Sequence, residues 1–154
     1  MINIFKNTIL LLLLTSLVAC GYTPLLNKQK INFYINELNV EGDRQVNNII
    51  SKKLEKYLNF AENKLRYDLK VETYYKKEIV NKDKSGNPKN YNVLVETKII
   101  LLKENGDQAK KSFKRSISLT SQDKKIEEKR LENTYKEDLS KLISNDIIFF
   151  ISNQ

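Results

Sequence analysis

"LRYDLKVETYY", residues 65–75, alternates with a period of two. Leu65, Tyr67, Leu69, Val71, Thr73 and Tyr75 fall on one side, and Arg66, Asp68, Lys70 and Glu72 on the other. This is the pattern of a strand with one face in a core and one in water. A one-sided strand belongs in a largely antiparallel sheet, because parallel sheets are covered on both faces and their strands read as continuous apolar runs. The cover for the buried face must come from the flanking sequence.

Upstream, "DRQVNNIISKKLEKYLNF" (residues 43–60) supplies it. Val46, Ile49, Ile50, Leu54, Tyr57 and Leu58 draw one apolar stripe at helical spacing, with Lys52, Lys53, Glu55 and Lys56 opposite. Asp43, following the breaker Glu41-Gly42, is placed to cap this helix. Before it, "KINFYINELNV" (30–40) puts Ile31, Phe33 and Ile35 on one side and predicts a strand.

Downstream, "NKDKSGNPKN" (81–90) predicts a long polar hairpin loop. The chain returns through "YNVLVETKIILLKE" (91–104), with Tyr91, Val93, Val95, Thr97, Ile99 and Leu101 alternating. Asn105-Gly106 signals a tight hairpin. "AKKSFKRSISLT" (109–120) follows, with Phe113, Ile117 and Leu119 inward. Thr120 with Asp123 resembles a capping box for a last helix. Tyr135, Leu139, Leu142, Ile143, Phe149 and Phe150 form that helix's stripe, while its first two turns after Ile126 are mostly charge. The expected fold is α+β, a two-layer sandwich in the order β-α-β-β-β-α. Two helices cover one face of a four-stranded, mostly antiparallel sheet.

The N-terminus has a different character. MINIFKN carries one lysine, and TILLLLLTSLVA (8–19) is apolar and ends in small residues, the plan of a secretory signal peptide. Its apolar run falls short of the roughly 20 residues that span a bilayer. Leu17-Val18-Ala19-Cys20 resembles the bacterial lipobox. In signals of that kind the cysteine thiol receives diacylglycerol and becomes the new N-terminus, so Cys20 is the expected lipidation site. Two or more acyl chains give stable membrane attachment. Gly21 after the cysteine, by resemblance to enteric lipoproteins, favours the outer membrane. The expected organisation is a signal peptide over 1–19, a lipidated cysteine and extended tether over 20–29, and one domain over 30–154.

Chemistry is scarce. There is no histidine and only one cysteine, so hydrolytic triads and the common zinc constellations are not expected, and four glycines form no phosphate loop. Glu72 and Glu96, on adjacent strands, could form a carboxylate pair, but Lys70 and Lys98 beside them point to a solvated charge pattern. We expect no enzyme and no cofactor.

The positive charge is concentrated. Residues 64–125 hold 16 Lys and Arg against 8 Asp and Glu, while the segments on either side are near balance. Lys76 and Lys77 flank the 81–90 segment and Lys82, Lys84 and Lys89 occupy it; Lys110, Lys111, Lys114 and Arg115 follow the tight turn. One reading is solvation of exposed strands by lysine. The other is contact with phosphates of an anionic lipid. Export argues against nucleic acid.

Cys20-Gly21-Tyr22-Thr23-Pro24-Leu25-Leu26, "YDLKVE" at 67–72 and the order of elements together resemble the LPS-assembly lipoprotein family LptE of the alphaproteobacterial type. That resemblance implies a plug and assembly partner for the outer-membrane barrel LptD, help in inserting lipopolysaccharide into the outer leaflet, and a lipid-anchored place on the periplasmic side of the outer membrane. Lys82, Lys84 and Lys89 are the candidates for lipopolysaccharide phosphates. The segment "TSQDKKIEEKRLENTYKED" is more charged than the family leads one to expect. Two other classes compete: a transport-auxiliary lipoprotein of a phospholipid-trafficking complex, and a cell-wall enzyme with an unusual site.

Overall fold

The computed structural model describes residues 32–59, 62 and 64–154. The expected signal peptide, Cys20 and the tether lie outside the described residues. Strand β1 spans Phe33–Gly42 and helix α1 Arg44–Leu54, continued by a 3₁₀ turn over Glu55–Tyr57. Strands β2 (Leu65–Lys82), β3 (Pro88–Lys103) and β4 (Gln108–Thr120) follow, and helix α2 (Lys125–Ser152) ends the chain. The four strands form one sheet in the order β1-β2-β3-β4. β1 runs parallel to β2, and β2, β3 and β4 form an antiparallel meander. The α+β architecture and the β-α-β-β-β-α order are those read from the sequence. The parallel pair follows from placing a helical crossover between β1 and β2.

β1 holds a bulge. Ile35 stands opposite Tyr67, but Glu37 rather than Asn36 stands opposite Asp68. Asn36 Nδ2 donates to Asp68 Oδ1 at 2.8 Å. The extra residue resets the alternation, so Phe33 and Ile35 before it and Leu38 and Val40 after it all serve the core.

The turn from β1 into α1 is tight. Gly42 has φ +108°, and a Cβ built there would meet the Thr73 carbonyl oxygen at 2.0 Å. That oxygen accepts the Asp43 N–H at 3.2 Å. Asp43 then caps α1 as expected: its Oδ1 accepts from the N–H groups of Gln45 and Val46, both at 3.0 Å.

Val46, Ile50, Leu54 and Tyr57 of the predicted stripe are buried against Leu69, Val71, Ile99 and Leu101 of the sheet. Ile49 is half-buried, and Leu58 lies beyond the 3₁₀ turn and is exposed. Leu65, at the start of β2, is also exposed.

α2 departs from expectation at both ends. Thr120 does not open it, because β4 runs through Thr120 in register with Asn90. The helix begins at Lys125, and its cap residue Lys124 makes no side-chain capping bond. At the other end, Ile143, Ile147 and Ile151 face the core at steps of four, which turns the expected Leu142 and Phe149 outward to 50% and 55% exposure.

The charged first half of α2 is not a solvated surface. Glu128, Glu132 and Lys136 are buried on the same inward face that carries Ser140, Ser144 and Ile148 further along. They meet polar residues of the sheet. Lys77 Nζ donates to Glu128 Oε1 at 3.0 Å and to Glu132 Oε2 at 3.1 Å, and the Tyr75 hydroxyl donates to Glu132 Oε1 at 2.8 Å. Lys136 Nζ reaches Asp43 Oδ2 at 2.7 Å and lies 4.0 Å from the centre of the Tyr75 ring. Ser121 Oγ and the Gln122 N–H donate to Glu128 Oε2, tying the β4–α2 connection to the network.

Burial pushes the Glu128 and Glu132 carboxyls up, but Lys77 with Lys125 on the first, and Lys129, Tyr75 and Lys77 on the second, outweigh it. Both are held down at about 2. Burial lowers the Lys77 ammonium, and the same two carboxylates more than reverse this, leaving it raised.

Two outcomes follow from these contacts. Gly42→Ala forces backbone apart from backbone at Thr73 and is expected to lower unfolding free energy by about 2–4 kcal/mol in urea titration. Gly86→Ala, with φ +86° but open space around it, is expected to cost only about 1 kcal/mol. The carboxyls of Glu128 and Glu132 sit below their ordinary value of 4.5 in the folded chain. Their contribution is therefore complete above about pH 5 and is lost as pH falls toward about 2. Raised Lys77 keeps its share on the alkaline side until pH passes its ordinary 10.5. Stability measured by urea titration is thus expected to fall from pH 5 downward. Glu132→Gln is expected to cost on the order of 1–3 kcal/mol at neutral pH and to flatten that acid limb.

Candidate functional site

The lysines read from the sequence divide into three groups in space. At the hairpin end, the 81–90 segment is not a long loop. β2 extends to Lys82 and β3 starts at Pro88, leaving a five-residue turn. Asp83 organises that turn: its Oδ1 accepts from the N–H groups of Ser85 at 2.8 Å and Asn87 at 2.9 Å. These donors, the Asn87 N–H foremost, hold its carboxyl below the usual range. Lys82 and Lys89 thus sit on strands and Lys84 in the turn, and all three are exposed. Among the described residues no salt bridge engages them, whereas Lys76 pairs with Glu78 at 2.6 Å and Lys77 is committed to α2. Ile79 and Val80, at 49% and 62% exposure, lie beside them on β2. The first turns of α2 reach this end through the Lys77 ion pairs, and Ile126 there is also exposed.

The second group is on the outer sheet face, away from the helices. The register aligns Asn39, Lys70, Ile100 and Lys110 on one rung and Glu41, Glu72, Lys98 and Ser112 on the next. These residues line a concave surface of about 590 Å³. Among the described residues Lys70 and Lys110 make no ion pair, and Lys98 Nζ lies 5.1 Å from the Tyr74 ring centre. Glu72 stands opposite Lys98 and Glu96 opposite Tyr74 and Lys114, so the carboxylate pair weighed from the sequence is interleaved with lysine.

The third group is on β4. Arg115 belongs to the inward face and pairs with Asp146 of α2 at 2.7 Å. Lys110, Lys111 and Lys114 are exposed and, among the described residues, make no ion pair.

The structure therefore brings Lys82, Lys84 and Lys89 to one end of the sheet and removes Lys77 from that set. The outer concavity was not anticipated, because it depends on which residues share a rung across four strands. Its members are individually ordinary, and only the register assembles them. Chemically, both surfaces offer lysine point charges to anions beside small apolar areas. The carboxyl groups driven furthest from their ordinary values belong to the α2 network and bind lysines, not a solvent-open cleft. Among the described residues, no group of His, Cys, Asp and Glu is placed to hold a metal ion, and no helix is long and apolar enough to cross a membrane.

No protein-family model and no curated protein matches the chain. Solved structures do. The chain is similar to rare lipoprotein B from Shewanella oneidensis with a TM-score of 0.62 and 7% identity, covering 78% of this chain and 94% of that one. It is similar to a minor lipoprotein from Acinetobacter baumannii with a TM-score of 0.60 and 11% identity, covering 80% and 92%. Lipoprotein B from Nitrosomonas europaea gives a TM-score of 0.58 and 14% identity, covering 78% and 83%. At such identities the likeness establishes the fold: this chain has the sandwich fold of these bacterial lipoproteins, across nearly the whole length of the first two.

Proposed function

We propose that this protein is an outer-membrane lipoprotein of the LptE type, anchored through Cys20 on the periplasmic side. In this reading it forms a plug and assembly complex with the LptD barrel and assists lipopolysaccharide insertion into the outer leaflet. The observation that carries the reading is the coincidence of two independent features. One is a fold shared with rare lipoprotein B over 94% of that chain. The other is the lipobox-like Leu17-Val18-Ala19-Cys20 with its Gly-Tyr-Thr-Pro-Leu-Leu continuation.

The surfaces suit the role. The domain presents charged, wet surfaces on its outer sheet face and hairpin end, which a polar barrel lumen can accept. A lipid at Cys20 holds it beside the barrel at high effective concentration. Lys82, Lys84 and Lys89 are exposed and, among the described residues, have no ion pair, so their charge is available to lipid A and core phosphates. No reaction is catalysed.

The test is co-expression of the full-length protein with the LptD barrel of the same genome and purification in detergent at about 0.5 M salt, where the screening length is only a few ångströms. A stoichiometric complex is expected. Separation under these conditions, with Cys20 lipidated, would remove the reading and favour a transport-auxiliary lipoprotein of a phospholipid-trafficking complex, whose signature is co-purification with an inner-membrane transporter. Charge reversal of Lys82, Lys84 and Lys89 together is expected to weaken lipopolysaccharide binding about tenfold at low salt, measured by equilibrium binding, while the barrel complex survives.

A further inference from the structure

The two edges of the sheet are built differently. β1 is interrupted by the Asn36 bulge and ends at the strained Gly42 contact, so it offers no long straight run of backbone. β4 pairs with β3 from Asn90–Thr120 to Leu102–Gln108 without a single register shift. It has neither proline nor glycine over its 13 residues. It is last in the sheet order, and among the described residues no strand lies along its outer N–H and C=O groups. A regular edge of this length is a template for strand addition.

We propose that the free edge of β4 accepts an extended acidic segment of a partner protein as a fifth strand. Its charge selects the chemistry. β4 carries Lys110, Lys111, Lys114 and Arg115 and no carboxylate. Arg115 is satisfied by Asp146, but the three lysines are exposed and, among the described residues, make no ion pair. Carboxylates at alternate positions of an added strand would meet Lys110 and Lys114 on the outer face. Ser112, Ser116 and Ser118 between and beyond them leave room for the incoming side chains. At Lys110 and Ser112 the edge also forms the lip of the outer-face concavity, where the lysines Lys70, Lys98, Lys110 and Lys111 outnumber the carboxylates Glu41 and Glu72. A second copy of this chain is the wrong partner, because β4 against β4 doubles the cations without adding one acid. The lysines thus discourage self-pairing and select an anionic strand with the same charges.

The test uses the full-length protein in detergent and a fluorescent 11-residue peptide alternating Glu with Val and Thr, read by anisotropy at low salt. Saturable binding is expected. Methylating alternate backbone nitrogens of the peptide, which removes its strand hydrogen bonds but keeps its charge, is expected to weaken binding by about tenfold or more. Lys110→Glu with Lys114→Glu, both exposed, is expected to weaken it about tenfold while the far-UV spectrum stays unchanged. Absence of saturable binding, equal binding of the methylated peptide, or indifference to the two substitutions would each overturn the proposal. None of these outcomes depends on whether the barrel complex forms.

Discussion

The ion pair between Lys136 and Asp43 sits where the two modes of packing in this molecule meet. Asp43 uses one carboxylate oxygen to cap α1 and gives the other to Lys136 of α2. Its neighbour Gly42 allows the backbone to approach Thr73 of β2 closely enough for that cap to be in place. One residue therefore fixes the end of β1, the start of α1 and the middle of α2. Toward one end of α2 the sheet and helices share an apolar core of Leu69, Val71, Ile99, Ile143 and Ile147. Toward the other end the same surfaces meet through Tyr75, Lys77, Glu128 and Glu132. A buried charge without its partner costs several kcal/mol, so the polar half is specific in a way that an apolar seam is not. Sliding α2 by one residue would leave Glu132 and Lys136 buried and unpaired.

This division explains what was legible in the sequence. Periodicity of apolar residues gave the class, the element order, the α1 stripe and the Asp43 cap, because each leaves a local signature. It misjudged α2 because apolar periodicity does not register buried charge. Glu128, Glu132 and Lys136 recur at steps of four just as Ile143, Ile147 and Ile151 do, and their complement, Tyr75 and Lys77, continues the inward alternation of β2. The paired pattern is present in the sequence, but recognising it requires knowing that α2 lies over that part of β2. The bulge is a gentler case: the apolar phase of "FYINELNV" shifts between Ile35 and Leu38, and only an inserted residue can place both halves on one face. The tight turn at 83–87 was hidden for another reason. Polar residues in β2 and β3 beyond the helical cover look like loop, yet cross-strand pairing carries them to Lys82 and Pro88.

The positive charge likewise changes meaning once placed. As a total it shows only that the excess lies in residues 64–125. In the fold, Lys77 and Lys136 are structural, Arg115 locks β4 to α2, and the remaining lysines occupy a hairpin end, a concave outer face and a strand edge. The concave face and the strand edge meet at Lys110 and Ser112, but the hairpin end lies apart from both, so one small anionic ligand cannot engage all three. Of the large exposed apolar side chains among the described residues, Ile79, Val80 and Ile126 gather at the hairpin end, while others, such as Leu58, Leu65, Leu142 and Phe149, are spread along the chain. Contacts built from lysine and scattered apolar groups are individually weak and sensitive to salt.

Weak contacts are sufficient if the partner is held close. A protein confined to a membrane by acyl chains meets other components of that membrane at a high effective concentration, so a modest interaction can be fully occupied. The same confinement makes unwanted association equally easy, above all between strand edges of identical molecules crowded on one surface. With Cys20 lipidated as proposed, that hazard gives the two edges of this sheet their logic. β1 is protected by geometry, through a bulge and an abrupt turn, and among the described residues no strand pairs with its open side. β4 is protected by charge alone, which rejects a copy of itself but not an acidic strand. Protection by geometry closes an edge to every partner; protection by charge leaves it open to one class, and the lysines of β4 are therefore a choice of partner as well as a guard.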